Sequence, residues 1–380
     1  MVVHITYESF FAEPILQSIL AKPISLISND KIKSIITVET KEDNSNFALD
    51  SRERWLKNDI PVYSIKKRYQ KGSFINAILD FVKLIILALK KTNKNDILHC
   101  RAHGGAIVGF VISILRGNKY IFDYRGNMIL EAVDLGKMKK NSISIYLLSV
   151  LEKILLKRAS SIICVSNKQE NLFEKYKNVT VVYNATETFN INHTNITGKR
   201  LIKIAYVGNA TSWHCIEELF ILANKIEELG FEVKLKIASG KSSVFLKYSK
   251  FYNIKNIEIK YLSQNNVKAF VSDCDFGYCL IKNSPSKEVC FPVKFSEYIS
   301  AGIPVLINKN IGDLEEIVTN YNLGVCLKSP QNVNSININH IQKFKQIKLE
   351  KIILPKILNW ENVINKWKHI YENIDIYRKI

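Results

Sequence analysis

Lys294 and Glu297 stand three residues apart in the stretch Phe291–Ile307, FPVKFSEYISAGIPVLI, and a cation and a carboxylate at that spacing suit the binding of a phosphorylated sugar. Residues three apart share one side of a helix. Pro292 suits the first helical position because it has no N–H to lose there, and Gly302 suits the left-handed residue that stops a helix. The helix they bound spans about two and a half turns. Unpaired N–H groups at its start, together with Lys294, offer positive potential to a diphosphate, and Glu297 can accept hydrogen bonds from ribose or sugar hydroxyls. The same two residues equally fit an ordinary solvated Lys/Glu pair. Phe295, Tyr298 and Ile299 recur at the spacing of a buried stripe, which leaves Lys294 and Glu297 to one side, and Ile303–Ile307 reads as a buried strand.

Two segments of the first half are also rich in chemistry. In an open parallel sheet ligands sit outside the carboxyl ends of the strands, where Cys100-Arg101-Ala102-His103-Gly104-Gly105 and Asp123-Tyr124-Arg125-Gly126-Asn127 are expected. Arg101 and Arg125 suit bidentate recognition of phosphate or carboxylate; the alternative is a structural ion pair, such as Arg125 with Asp123 or Glu131. His103 can lie near a reacting carbon or supply a proton path, or it is merely solvated in a glycine turn. Gly104 and Gly105 allow a loop to approach a ligand closely. Glu131 is a candidate base at an acceptor site.

Proline, two residues to lysine, three more to glutamate, then aromatic-x-x-Ala-Gly-x-Pro-Val resembles the donor-binding signature of GT-B glycosyltransferases, especially the large retaining family GT4. The resemblance implies that Glu297 contacts the nucleotide ribose and that the helix start with Pro292 and Lys294 holds the diphosphate. Many members carry a second glutamate eight residues earlier; here that position is Val289, with Glu288 beside it. Val207-Gly208-Asn209-Ala210-Thr211-Ser212-Trp213-His214 occupies the family's glycine-turn position, which makes Gly208 and Asn209 donor-binding candidates. Members often have a basic residue there. None occurs between Val207 and Cys215, so His214, Lys241 and Lys282 are the substitutes, and the Lys282–Glu288 loop can fold over the donor or be a plain surface loop. Strand-His-x-Arg, followed by Phe122-Asp123-Tyr124-Arg125-Gly126 and Glu131, resembles the N-terminal domain of a GT4-like bacterial subgroup.

What the resemblance implies is transfer of a hexose-type sugar from a nucleotide diphosphate donor to a glycan or lipid-linked acceptor, in bacterial surface polysaccharide synthesis and with retained configuration. Preorganised charges would stabilise the departing diphosphate and an oxocarbenium-like sugar. No metal and no other cofactor is expected, since Lys294, an arginine and the helix start supply positive charge; Asp273-Cys274-Asp275 imitates a metal-binding Asp-x-Asp, but begins a buried strand. A GT-B-like nucleotide-sugar epimerase and a non-catalytic sugar-nucleotide-binding subunit are the rival readings.

Behind these residues, short apolar runs alternate with helical patterns almost throughout the 380 residues, the mark of parallel sheets covered on both faces. The expected fold is α/β: GT-B, two Rossmann-like doubly wound domains facing across a cleft. Strands are predicted near Val2–Tyr7, Ser34–Thr37, Val62–Ile65, Ile97–Cys100, Tyr120–Asp123, Ile162–Val165 and Val179–Tyr183. The alternation restarts at Lys203–Val207 after an Asn- and Thr-rich break. This predicts an acceptor-binding domain over 1–188, a linker over 189–202, a nucleotide-sugar-binding domain over 203–358 and a closing helix over 359–380 that, by the resemblance, crosses back to the first domain. Ser166/Gln169 and Asp313/Glu316 have capping-box spacing.

The net charge of +19 fits attraction to an anionic membrane surface or a phosphorylated acceptor, although abundant Lys, Ile and Asn also suggest a biased composition. No zinc spacing, RNA-binding aromatic motif or basic helical repeat occurs, so nucleic acid is not an expected partner. Seven cysteines without a CxxC pair indicate neither a disulfide framework nor a zinc site. With an N-terminus unlike a secretion signal, the expected location is the cytoplasm, at most peripheral at the inner face of the cell membrane. Phe74–Leu89, interrupted by Asp80 and Lys83, reads as a buried helix or as one seated on a membrane between Lys66, Lys67, Arg68, Lys71 and Lys90, Lys91.

Overall fold

The computed structural model describes residues 1–27, 31–68, 74–186, 200–262, 264–349 and 356–374. The chain forms two compact units, Met1–Tyr183 rejoined by the chain from Trp360 on, and Asn184–Asn359. Most of the expected 189–202 linker lies outside the described residues, as do Lys71 and residues 375–380 of the closing segment.

Seven parallel strands build the first unit: β1 (Val2–Thr6), β2 (Ile32–Glu39), β3 (Val62–Lys66), β4 (Ile97–Arg101), β5 (Tyr120–Asp123), β6 (Ser161–Cys164) and β7 (Val179–Val181). Their order is β3-β2-β1-β4-β5-β6-β7, so the direction of winding reverses between β1 and β4. Helices on both faces explain why β1 is buried over its whole length and reads as an apolar run without alternation. Helix Trp360–Asn373 packs on this unit, with the Trp367 ring centred 5.5 Å from His4 and 4.8 Å from His99. Ser166 caps helix Asn167–Leu172 as its spacing suggests, accepting from the Gln169 N–H at 3.1 Å.

One expectation fails in this unit, and one pair of alternatives is narrowed. Gly104 and Gly105 lie within helix Ala102–Arg116, not in a ligand-facing turn. A Cβ on Gly104 would meet Cβ of Tyr7 at 2.5 Å and one on Gly105 the Ile5 carbonyl oxygen at 2.5 Å, so both glycines serve close packing of this helix on the β1 segment. Helix Phe74–Lys91 buries Leu84 and Ala88 but leaves Ile75 72% exposed, so it is not a helix buried all round.

The second unit has six parallel strands: β8 (Leu201–Val207), β9 (Glu232–Ala238), β10 (Ile257–Lys260), β11 (Phe276–Tyr278), β12 (Val305–Asn308) and β13 (Gly324–Leu327), in the order β10-β9-β8-β11-β12-β13. Here the winding reverses between β8 and β11. The signature helix runs Val293–Ser300, with Pro292 one position earlier than expected: its ψ of 128° is extended, which makes it the cap residue. Gly302 ends the helix at φ 71°, the left-handed conformation that glycine adopts without steric cost. Asp313 precedes helix Leu314–Asn320, but its side chain makes no cap hydrogen bond, so the predicted capping box is absent.

Candidate functional site

The place where winding reverses opens a crevice beyond the strand ends. In the second unit Gly208 borders it after β8 and Cys279–Ile281 after β11. Tyr298 fixes the signature helix there. Its ring occupies the space over Gly277, where a Cβ would come within 2.3 Å of it. Its hydroxyl accepts from the Val207 N–H at 2.8 Å and donates to the Tyr278 carbonyl at 3.2 Å. Ser296 adds a bond to the Asn184 carbonyl at 2.5 Å. Lys294, one turn before Tyr298, is thereby turned inward: it is 6% exposed, its ammonium lies 4.6 Å from the centre of the Tyr206 ring, and it has no hydrogen-bond partner. Burial holds that ammonium below the usual lysine range, against the opposing pull of Cys279, Cys215 and Glu297. A solvated Lys/Glu pair is therefore excluded for Lys294. Glu297 is half-buried.

Gly208, at φ 121°, turns the chain out of β8, and its N–H donates to the Ala238 carbonyl at 3.0 Å. The residues after it fold back so that His214 Nδ1 lies 2.7 Å from the Asn209 carbonyl oxygen, which assigns the ring proton to Nδ1. The His214 pKa is pushed down to about 3, by burial first and by Lys294 second. His214 is thus held toward the neutral form, which suits it poorly to replace the missing phosphate cation. Lys287 suits that role better: it is buried, with its ammonium 4.0 Å from the centre of the Trp213 ring. The Lys282–Glu288 loop is anchored as well. The Lys282 N–H donates to the Trp213 carbonyl at 2.8 Å, the Ile281 N–H to Asn308 Oδ1 at 2.8 Å, and Asn308 Nδ2 to Asn283 Oδ1 at 2.7 Å. Lys282, Glu288, Asn209 and Lys241 expose their side chains.

In the first unit the switch point lies between β1 and β4, and the basic residues near it gather around one carboxylate. Arg101 Nε is 3.0 Å from Glu8 Oε2 and its Nη1 is 3.8 Å from Asp123 Oδ2. Arg125 Nε donates to Asp123 Oδ2 at 2.9 Å. His99 Nε2 is 3.5 Å from the same oxygen, and His99 Nδ1 is 2.8 Å from the Tyr371 hydroxyl. Burial opposes ionisation of Asp123, yet Arg125, His99 and Arg101 outweigh it and hold the carboxyl well below the usual carboxylate range. Ala102, at φ 53°, is a non-glycine residue in the left-handed region, a strained bend between Arg101 and His103.

His103 is buried in the first turn of its helix, its Nε2 2.6 Å from Glu152 Oε2, and the Tyr124 hydroxyl donates to that oxygen at 3.0 Å. It is therefore not the solvated histidine of a glycine turn. Glu131 stands in the first turn of helix Met128–Asp134. The structure thus brings Lys294 against Tyr206 of β8, just before Gly208, ties the Lys282 backbone to Trp213, sets Pro292 as the helix cap with Glu297 one turn on, and collects Arg101 and Arg125 around Asp123.

Asp273 is taken up by Lys203 and Lys236 at 2.7 and 2.6 Å, and Asp275 accepts from the Lys203 N–H at 2.7 Å. Among the described residues no cluster of three metal-ligating side chains occurs. The sequence reading placed Trp213 and Lys287 only within their loops and gave no site role to His99, Glu8 and Glu152. Their partners lie far away along the chain, as Trp213 does from Lys287, and no local spacing marks them.

No protein-family model and no curated protein matches the sequence. Solved structures match over essentially the whole chain. Sucrose-phosphate synthase from Thermosynechococcus elongatus has a TM-score of 0.70 at 13% identity, covering 99% of each chain. A mutant of S. aureus TarM in complex with fondaparinux, α-GlcNAc-glycerol and UDP has a TM-score of 0.63 at 10% identity, covering 97% of this chain and 99% of that one. A Listeria monocytogenes protein assigned as a UDP-N-acetylglucosamine 2-epimerase has a TM-score of 0.59 at 11% identity, covering 98% and 97%. The fold is GT-B, with its two parallel-sheet units.

Proposed function

We propose that this chain is a glycosyltransferase that takes a sugar from a nucleoside-diphosphate donor, and that the unit carrying Lys294 binds the donor. The observation that carries the reading is the buried ammonium of Lys294, which has no hydrogen-bond partner. Burying an unpaired ammonium costs several kcal/mol, and a diphosphate is the ligand whose charge offsets that cost. It brings two phosphoryl groups to a place that also offers the Val293–Ser300 helix start and Lys287. Charge on the diphosphate grows as the sugar–phosphate bond breaks, so a fixed, poorly hydrated ammonium stabilises the transition state more than the ground state. Glu297 then takes the ribose hydroxyls, while Gly208 and Asn209 let backbone approach the phosphates. Lys282 and Glu288 border the sugar.

On the first unit, Arg101 and Arg125 take the ion-pair alternative with Asp123 and Glu8 and shape the acceptor side from there; His103 and Glu131 are the candidates to manage the acceptor's proton. The acceptor class proposed is a glycan or lipid-linked glycan of a bacterial surface polysaccharide, with retention of configuration. Positive charge comes from side chains and backbone in this scheme, so it calls for no metal. A nucleotide-sugar epimerase is the second reading, favoured by the full-length likeness to the Listeria protein.

Purified chain would be screened against nucleoside diphosphates by thermal shift and then incubated with the matching nucleotide sugars. Free nucleoside diphosphate released in the presence of a glycan acceptor supports transfer; an isomeric nucleotide sugar supports epimerisation. Binding without turnover leaves a sugar-nucleotide-binding module, and failure of every nucleoside diphosphate to bind overturns the reading.

A further inference from the structure

Helix Phe74–Lys91 turns Asp80, Leu84 and Ala88 inward, and half a turn away it presents Ile75, Ile78, Leu79, Val82 and Ile86, each 44 to 72% exposed. Helix Ile143–Arg158 repeats the arrangement: Leu155 and Leu156 are buried, while Ile143, Tyr146, Leu147 and Ile154 are 45 to 79% exposed on the other side. Between the two lies helix Ala102–Arg116, in contact with both and exposing Ile114 and Leu115 at its end. The connections β3 to β4, β4 to β5 and β5 to β6 all run the same way across the sheet. Right-handed crossovers therefore put all three helices on one face, and their outward apolar stripes form a single layer surface. Such contiguous apolar surface exceeds the scattered side chains usual on a soluble unit.

The charges beside it are predominantly positive, Asp134 before Lys137 being an exposed exception. These three helices contain two acids, Asp80 and Glu152. Asp80 is buried and accepts from the Arg68 N–H at 2.9 Å; Glu152 is engaged by His103 and Tyr124. The exposed charged side chains of the two striped helices are Lys90, Lys153, Lys157 and Arg158, and Lys137, Lys139 and Lys140 stand in the segment leading into the second. A second copy of this chain placed face to face would bring these cations together. An anionic lipid surface accepts both features, the apolar stripes at the headgroup boundary and the ammonium groups at the phosphates. No helix among the described residues is long and apolar enough to cross a membrane.

We propose that this face of the first unit seats the protein on an anionic lipid surface, with helices Phe74–Lys91 and Ile143–Arg158 lying on it. The proposal does not depend on the sugar-nucleotide reading, because it is tested by binding without turnover.

The test is flotation of the full chain with phosphatidylcholine vesicles, with and without about one third phosphatidylglycerol, at low salt and at about 0.5 M salt. Binding is expected to the anionic vesicles, weakened by salt. The variant Ile78→Asn/Leu79→Asn/Val82→Asn and the variant Lys139→Glu/Lys140→Glu/Lys153→Glu should each lose about tenfold or more in apparent affinity with unchanged circular dichroism. Ile75→Asn, at the exposed end of its helix, gives a milder loss and serves if the triple variant misfolds. Absence of flotation with anionic vesicles at low salt overturns the proposal. So does wild-type binding by both folded triple variants, or a wild-type dimer in light scattering that the apolar variant converts to monomer while vesicles capture neither.

Discussion

The two units place cations at equivalent points, the switch points of their sheets, but treat them in opposite ways. In the first, Arg101 and Arg125 converge on Asp123, with Glu8 and His99 completing the group, so the buried charges compensate one another. In the second, Lys294 is buried against Tyr206 with no hydrogen bond and no carboxylate close enough to form a salt bridge among the described residues. A compensated cluster stabilises its surroundings and stays put when a ligand leaves. An uncompensated cation costs stability and recovers it only when an anion arrives, which is the property of a binding site.

Removing charge should therefore move stability in opposite directions. Asp123→Ala leaves two guanidinium groups buried without their carboxylate, and urea titration should show a loss of about 3–5 kcal/mol. An unchanged midpoint would break the comparison on the first side. Lys294→Met should do the reverse. It removes an unpaired buried charge at similar volume, so thermal stability should hold or rise, while nucleoside-diphosphate affinity by calorimetry falls by about 2–3 kcal/mol, the worth of a charge-assisted contact. Equal affinity in wild type and variant would remove Lys294 from the site.

Glu297→Gln keeps the shape and loses the charge. A drop of about 1–2 kcal/mol in transition-state stabilisation, read from kcat/KM without loss of fold, marks it as a ribose acceptor, and unchanged kinetics would sever that link.

The smallest expected effects are those of pH, and here the two sites share a sign, since stability rises with pH at both, in an acidic window for Asp123 and a basic one for Lys294. Asp123 has its carboxyl depressed by Arg125, His99 and Arg101 against the effect of burial, so its contribution is complete above the unfolded aspartate pKa of about 4 and is lost as pH falls toward its folded value. Lys294 is depressed by burial; between its lowered folded value and the unfolded value of about 10.4 the unfolded chain holds more protons, so stability rises with pH there. A bound diphosphate restores the proton. Affinity should then weaken as pH rises through the depressed Lys294 range, with proton uptake visible as buffer-dependent heat in calorimetry. Heat that is the same in all buffers across that range would contradict this linkage.

Much of the architecture was legible before any coordinates. Parallel strands covered on both faces must be apolar at successive positions, and that constraint shows in runs such as Val2–Thr6 and Val305–Asn308. Gly302 stops its helix because few other residues tolerate its φ, so a single letter marked the end of the signature helix. The start was read one residue off, because proline suits both the first turn and the cap. Helix Phe74–Lys91 could be read as buried or as seated on a membrane, because an apolar run does not say which of its faces finds a neighbour.

The sequence by itself determined the order of strands and helices, the glycine stop and the spacing that puts Lys294 and Glu297 on adjacent turns, since these follow from local backbone preference and periodicity. Only the tertiary structure decided that Lys294 is sealed against Tyr206, that Lys287 stacks on Trp213 and that Arg101 and Arg125 meet at Asp123. The reason is physical. Whether a charge is solvated, paired or stranded depends on what burial removes and which distant group arrives in its place, and neither is encoded within a few residues of the charge itself.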